Sequence, residues 1–579
     1  MAESPARIGV YVCHCGINIA RGVDVSVVAD FGSRLPGVVV SRDYTYMCSD
    51  PGQGLIKEDA SRFGLTALVV ASCSPLMHEA TFRNAALEAG INPYRVEIAN
   101  VREQCSWVHE PGSTATDKAK ALVASAVAKC NRLEELSDRE SSVVPKALVV
   151  GAGVAGAQAA LDIADAGFPV VLVEQSGSIG GWARQLSHVF PTMETAADLL
   201  APMFQRVQTH PLVELMTEAE VTNVDGYYGN FDAEIQAASG KSVRERVGAI
   251  VVATGYDPFD PARQPELGYG AYPEVMTSLE FERLVASESS EEQLLVNGRQ
   301  PKNVVFVQCV GSRNKQLGNS HCSRVCCMAT AKQACVVLDK WPEANVSVLY
   351  MDMRSYGKGF EEFYDTVRDR GVFYRRGNPS EIVHARDGHG VVVRVEDTML
   401  GRPVEVPADL VVLAIGMEPR HTTSDVASLL RLSRSADGFL AEAHPKLRPV
   451  DTAVAGVYLA GCCQSPKDIP DSISQARAAA SAALSPLMTG KVSVGAVTAY
   501  VAEDICAGCG VCIEHCVYGA LSLHPAFGFM TVNAVLCQGC GACAAACPNG
   551  AMNLHHFTFD QVLAQVDALL EWPAPAVEF

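Results

Sequence analysis

Short apolar runs alternate with stretches of helical spacing along most of the chain. The first runs fall at 8–12, 38–40, 67–70 and 95–99, and stretches such as 79–89 and 116–133 repeat apolar residues every three or four positions. Strand–helix alternation of this kind predicts a small parallel α/β domain over residues 1–140. A second series begins with an apolar run at 146–150, then Gly151-Ala-Gly153-Val-Ala-Gly156, an alanine-rich helix and a strand at 170–173 that ends on Glu174. Further strands are expected at 250–253, 303–307, 346–350, 410–415 and 456–460, with helices after Cys327 and over 473–484. That series predicts a dinucleotide-binding core over 143–495. Residues 496–579 lack long periodic segments until a short helix expected at 559–572.

Length and charge narrow this picture. A chain of 579 residues exceeds one hydrophobic core and calls for several domains. The net charge of −19 argues against nucleic acid and anionic membranes as partners and suits basic protein patches. No apolar run reaches about 18 residues, so no membrane span is expected. The N-terminus lacks the basic-then-apolar pattern of a signal peptide. Twenty-one cysteines grouped in tight arrays then point to metal in a reducing, cytoplasmic setting rather than to disulfides.

The sharpest chemistry lies near the C-terminus. Cys506, Cys509, Cys512 and Cys516 form one C-x-x-C-x-x-C-x-x-x-C run, and Cys537, Cys540, Cys543 and Cys547 form another. In two-cluster ferredoxins the fourth cysteine of each run serves the other cluster. Cys506, Cys509, Cys512 and Cys547 are thus expected to hold one centre, and Cys537, Cys540, Cys543 and Cys516 its neighbour. Valine follows Cys516 where proline follows Cys547. In the first segment, Cys13, Cys15, Cys48, Cys73 and Cys105 follow predicted strands. Parallel strands deliver their ends to one sheet edge, so these thiols should converge. Five candidates compete for four positions, and buried packing is the plain alternative. In the middle of the chain, Cys309, Cys322, Cys326 and Cys327 follow the strand at 303–307 where glycines would grip a pyrophosphate. A cluster built over a vacated nucleotide site is the expectation there.

Strand, glycines, helix, strand and acid in this order form a dinucleotide fingerprint: Gly151, Gly153 and Gly156 for the pyrophosphate, Glu174 for a ribose. Lys332, five residues past Cys327, and Lys446 are candidates for a cation near a bound ring, with ordinary surface solvation as the competing reading for both. Cys130 and Cys335 read as structural, and Cys462-Cys463 as packed thiols rather than a redox pair.

Further motifs follow the fingerprint: Gly180-Gly181, Ile250-Val-Val-Ala-Thr254-Gly255 and Gly456-Val-Tyr-Leu-Ala-Gly461. Through them the core resembles the flavin branch of the two-dinucleotide-domain, thioredoxin-reductase-like oxidoreductases. That likeness implies FAD, with a degenerate second nucleotide domain inserted at about 260–415. The motifs Cys13-His-Cys15-Gly, Met47-Cys48-Ser, Ala71-Ser-Cys73-Ser-Pro and Arg102-Glu-Gln-Cys105-Ser-Trp occur together with the Cys309–Cys327 array and Gly461-Cys-Cys-Gln-Ser-Pro-Lys-Asp-Ile469. Through them nearly the whole chain is similar to the flavin/iron–sulfur subunit family of the heterodisulfide reductases. The resemblance implies a cluster beside the flavin on Cys309, Cys322, Cys326 and Cys327, hence FAD and four [4Fe-4S] clusters in all. It implies electron bifurcation at the FAD between ferredoxin and a disulfide-reducing subunit. The other implied partners are iron–sulfur subunits of the same complex and a hydrogenase, formate dehydrogenase or NADH-oxidising donor, around a core that admits a homodimer. Methanogen members carry a further ferredoxin module after the Ala-Thr-Gly strand, whereas here no cysteine occurs between Gly255 and Pro301. A two-electron relay in a related complex, and a scaffold with a vestigial flavin site, are the alternatives.

Overall fold

The computed structural model describes residues 6–286, 298–386 and 389–570, so positions 571 and 572 of the expected closing helix lie outside the described residues. Two compact units emerge, one of Met1–Ser141 with Ser493–Phe579 and one of Ser142–Val492.

In the first unit, four parallel strands lie in the order Val38–Tyr44, Ile8–Cys13, Ala67–Ser72, Val96–Asn100. The two central strands are buried along their whole length, which is why they read as continuous apolar runs. Ile8, Val10 and Val12 share a core with Val28, Ala119 and Val123, while Tyr11 and the neighbouring strand's Leu68 and Val70 meet Ile56 and Phe82. Helices therefore cover both faces, and all four strands exit along one edge. The C-terminal segment adds two small antiparallel pairs, Ala499–Val501 with Met552–Leu554 and Leu521–Leu523 with Met530–Val532. It joins the α/β segment directly. Helix Phe559–Leu570 lies along Ser113–Cys130, Gln561 Nε2 donates to the Arg132 carbonyl at 2.8 Å, and the Ala496 N–H donates to the Tyr94 hydroxyl at 2.8 Å. The sequence divides these segments into separate domains; contacts formed across more than 400 residues of chain gather them into one unit.

The second unit holds two five-stranded parallel sheets. The first runs Val457–Leu459, Ala249–Val252, Ala147–Val150, Val170–Val173, Val213–Met216, and the second Val275–Thr277, Leu410–Ile415, Asn303–Val310, Asn345–Tyr350, Phe373–Arg376. Each is backed by a three-stranded antiparallel sheet, and a short pair, Tyr256–Pro258 with Met417–Pro419, joins the inserted segment to its parent. Helices Val154–Asp165 and Ile469–Thr489 pack on each other and on the first sheet through alanines, whose small side chains permit close approach.

Candidate functional site

Inside the second unit, a cavity of about 810 Å³ opens at the carboxyl ends of the first sheet. Its floor is the glycine turn. A Cβ on Gly156 would stand 1.8 Å from the Gly151 carbonyl oxygen, so only glycine lets the helix close on the strand. At Gly153 a Cβ would meet nothing within 4 Å, leaving an open cradle for a phosphate at the helix N-terminus. Gly180 bridges to Gly153, and Gly181, Thr254 and Gly255 also border the space. Gly461 is not among the bordering residues; its N–H donates to Gln475 Oε1 at 2.8 Å, fixing the chain beside Cys462, which is. Glu174 borders the cavity while bracing its floor, accepting from the Ala152 N–H at 2.8 Å and from Ser176 N–H and Oγ at 2.9 and 2.7 Å. A carboxylate has about four acceptor positions, so capacity for a ribose hydroxyl remains.

Five buried polar atoms on bordering residues have no hydrogen-bond partner: Gln185 Oε1, His188 Nδ1, Thr254 Oγ1, Thr330 Oγ1 and Gln333 Oε1. Unpaired buried polar atoms are costly. Their concentration here, with the open cradle at Gly153, fits a large polar ring system joined to phosphates, as FAD is.

The two lysines separate. Lys332, from helix Cys326–Lys340, is 2% exposed and borders the cavity; its Nζ stands 2.6 Å from Glu282 Oε1 and donates to the His188 carbonyl at 3.0 Å. Burial loosens its proton, and Glu282 opposes that. Burial would raise Glu282, but the Lys332 ammonium, Gln333 and the Ser187 N–H together hold it below the usual carboxylate range. Lys446 is exposed and does not border the cavity, so the structure does not bring it to the site. A different cation does reach it. Lys467, 9% exposed, borders the cavity and donates to Gln464 Oε1 at 2.5 Å and to Ser465 Oγ at 2.8 Å, with burial lowering its pKa. It stands in the Gly461–Ile469 motif, but a lysine inside a motif carries no mark of burial.

Cysteines gather in four groups. In the middle array, burial pushes Cys326 well up, and Cys309, Cys327 and Cys322 push it further. Cys309 rises to about 11, again chiefly by burial. It sits where the strand register slips, with φ +61°, a strained conformation for a side-chain-bearing residue. Cys326 also borders the cavity, as does Tyr256, which has both Cys462 and Cys326 as neighbours. In the C-terminal segment, Cys547, Cys509 and Cys506 act on Cys512, and Cys537, Cys540 and Cys516 act on Cys543. The two runs thus exchange their fourth members. In the first segment, Cys13, Cys15, Cys48 and Cys73 form a fourth group. Cys105 does not join it. Its Sγ faces the Ala115 carbonyl at 3.1 Å, and burial raises it to about 11 with no thiol acting on it. Among the described residues, no three His, Cys, Asp or Glu side chains close around a single metal ion. A four-iron cluster spreads its thiolates over separate irons, and bound iron would offset the burial cost that raises these thiols.

A family described as pyridine nucleotide-disulphide oxidoreductase matches residues 145–483, and a 4Fe-4S dicluster domain matches 505–551. Fold and site therefore define a flavoprotein oxidoreductase that transfers electrons through iron–sulfur centres. The matching subunit of H(2):CoB-CoM heterodisulfide,ferredoxin reductase from Methanothermobacter marburgensis is 44% identical, covering 99% of this chain and 98% of that protein. An iron-sulfur subunit of CoB--CoM heterodisulfide reductase from Methanopyrus kandleri is 44% identical over 90% of this chain and 92% of its own. The chain belongs to this family, the flavin/iron–sulfur subunits of heterodisulfide reductase. The alignment to the Methanothermobacter protein runs over 652 positions, so that relative carries residues with no counterpart here. Among solved structures, thioredoxin reductase of T. acidophilum is similar at 17% identity and a TM-score of 0.42, covering 60% of this chain and 100% of that one. No described helix is long and apolar enough to cross a membrane.

Proposed function

We propose that this chain is the electron-dividing subunit of a heterodisulfide-reductase-type complex, with one FAD and four [4Fe-4S] clusters. The ligands would be Cys13, Cys15, Cys48 and Cys73; Cys309, Cys322, Cys326 and Cys327; and the two exchanged C-terminal sets. FAD bound in the large cavity would accept electron pairs and release single electrons. Lys332 and Lys467 place positive charge along that cavity, which favours a more electron-rich ring; Glu282 holds Lys332 in place, and Trp182 Nε1–H fixes the Tyr256 carbonyl at 3.0 Å. The observation that carries the reading is the shared wall: Cys326, at the centre of the middle thiol group, borders the same cavity as the glycine turn. A cavity for a two-electron carrier thus adjoins a site for one-electron carriers.

The relatives' names support a reading of the partners. They include a hydrogen-linked, ferredoxin-linked reductase and an H(2)/formate-linked one. For this chain we infer a hydrogenase, formate dehydrogenase or NADH-oxidising donor, with ferredoxin as one acceptor and, as the other, a disulfide-reducing subunit. The test is coupling in the native complex. With donor present, ferredoxin reduction should begin only when disulfide is added, one electron reaching ferredoxin for each one reaching the disulfide branch. Ferredoxin reduction at the same rate without disulfide would make the chain a simple relay. Anaerobically purified protein should carry one flavin and about sixteen irons per chain; absence of flavin would leave only a scaffold.

A further inference from the structure

Cys105, one of five N-terminal candidates for four positions, stands apart from the other thiols, and an arginine of the same turn stands beside them. Strand Val96–Asn100 leads into a single π-helical turn, Arg102–Ser106. Such turns redirect side chains and recur at functional sites. This one turns Cys105 into the core and aims Arg102 at the thiol group. Arg102 Nη1 donates to Cys15 Sγ at 3.1 Å and Nη2 approaches Met77 Sδ at 3.1 Å. Nε and Nη2 donate to Glu103 Oε1 at 3.1 and 2.7 Å, and the guanidinium stacks on the Trp107 ring with 4.5 Å to its centroid. Only 9% of the residue is exposed. The same positive charge also acts on Cys48 and Cys73. A guanidinium keeps its charge at any ordinary pH, and its planar fork is held here on three sides.

We propose that Arg102 is a positioning residue of the N-terminal thiol site, and that its guanidinium, hydrogen-bonded to Cys15, raises the reduction potential of the cluster on Cys13, Cys15, Cys48 and Cys73, with Cys105 outside the ligand set. The inference rests on the cluster assignment made above. Reduction adds one negative charge to the site. Hydrogen bonds to ligand sulfur and nearby net charge are among the terms that set such potentials, and a charged donor in a poorly hydrated place is stronger than a neutral one. Glu103 works against Arg102, so the two side chains pull the potential in opposite directions.

Full-length chain, prepared anaerobically, would be titrated while its low-temperature paramagnetic signals are followed. The N-terminal signal is the one missing from Cys73→Ala. Arg102→Gln should weaken its one-electron reduction about tenfold, a downward shift of about 59 mV. Arg102→Lys should fall between, and Glu103→Gln should shift the signal upward. Cys105→Ala should keep both iron and signal. Unmoved potentials, or shifts of one sign in Arg102→Gln and Glu103→Gln, overturn the role of Arg102. Loss of the signal in Cys105→Ala overturns the ligand set. Should Arg102→Gln fail to retain iron, the direction of the Glu103→Gln shift decides. If Cys73→Ala removes neither iron nor signal, the cluster assignment fails instead, independently of the arginine.

Discussion

At the residue scale, the buried Lys332–Glu282 pair concentrates the cost of the site. Both side chains are about 2% exposed, so neither charge has water to fall back on. Removing one partner of such a pair strands the other, which typically costs about 3–5 kcal/mol. Glu282→Gln should therefore lower the thermal midpoint of the flavin-free chain clearly, and Lys332→Met added to it should recover much of the loss. A double variant as unstable as Glu282→Gln would mean that the carboxylate acts through Gln333 and Ser187, which also donate to it. The pH dependence has a definite sign. Glu282 is held below its ordinary value of 4.5, so its contribution is present above pH 4.5 and is lost as the pH falls through the lowered pKa. Sequence could not separate Lys332 from Lys446. Burial of Lys332 depends on Glu282, 50 positions away, and no local pattern announces such a partner.

At the element scale, the strand–turn–helix around Gly151 offers a paired test. Gly153→Val should leave the empty fold intact, because a Cβ there meets nothing within 4 Å, but should empty the preparation of flavin. Gly156→Val should damage the fold itself, since the new Cβ meets the Gly151 carbonyl; overpacking of this kind costs about 1–3 kcal/mol or more. Thermal melts and flavin absorbance on the same two preparations would check this. Equal melting losses in both would mean that Gly153 serves packing rather than the cofactor. This element was legible in the sequence because its requirement is local: three glycines, a strand before and an acid after. The exchange of the fourth C-terminal cysteines was legible for the same reason, the thiols lying within short runs. The N-terminal group was only partly so. Its thiols come from separate strand exits, and spacing alone does not reveal the π turn that rotates Cys105 away from its neighbours.

At the scale of the whole chain, the gathering of the first 141 residues with the last 87 into one unit depends on contacts that no sequence window contains, and one of them titrates. His556, 6% exposed, directs Nε2 to the Glu134 carbonyl at 3.0 Å, and its ring lies edge-on to Tyr94 with centroids 6.0 Å apart. Burial, with Lys129, Arg83 and His555 nearby, lowers its pKa from 6.5 to about 4, against a smaller upward pull from the Glu134 carbonyl. Between those values the unfolded chain binds a proton that the folded chain refuses, so folding weakens as the pH falls. The contribution is complete above pH 6.5 and is lost as the pH approaches 4. A shift of this size corresponds to about 2–3 kcal/mol, allowing for water at the rim of the site. His556→Gln keeps a donor for the Glu134 carbonyl and removes the titrating group. Urea midpoints of the full chain at pH 4.5, 5.5 and 7 should therefore fall more steeply with acid for the parent than for the variant. Parallel pH profiles would show that His556 is already solvated in the folded unit, and that the joint between the two segments rests on Gln561 and Tyr94 instead.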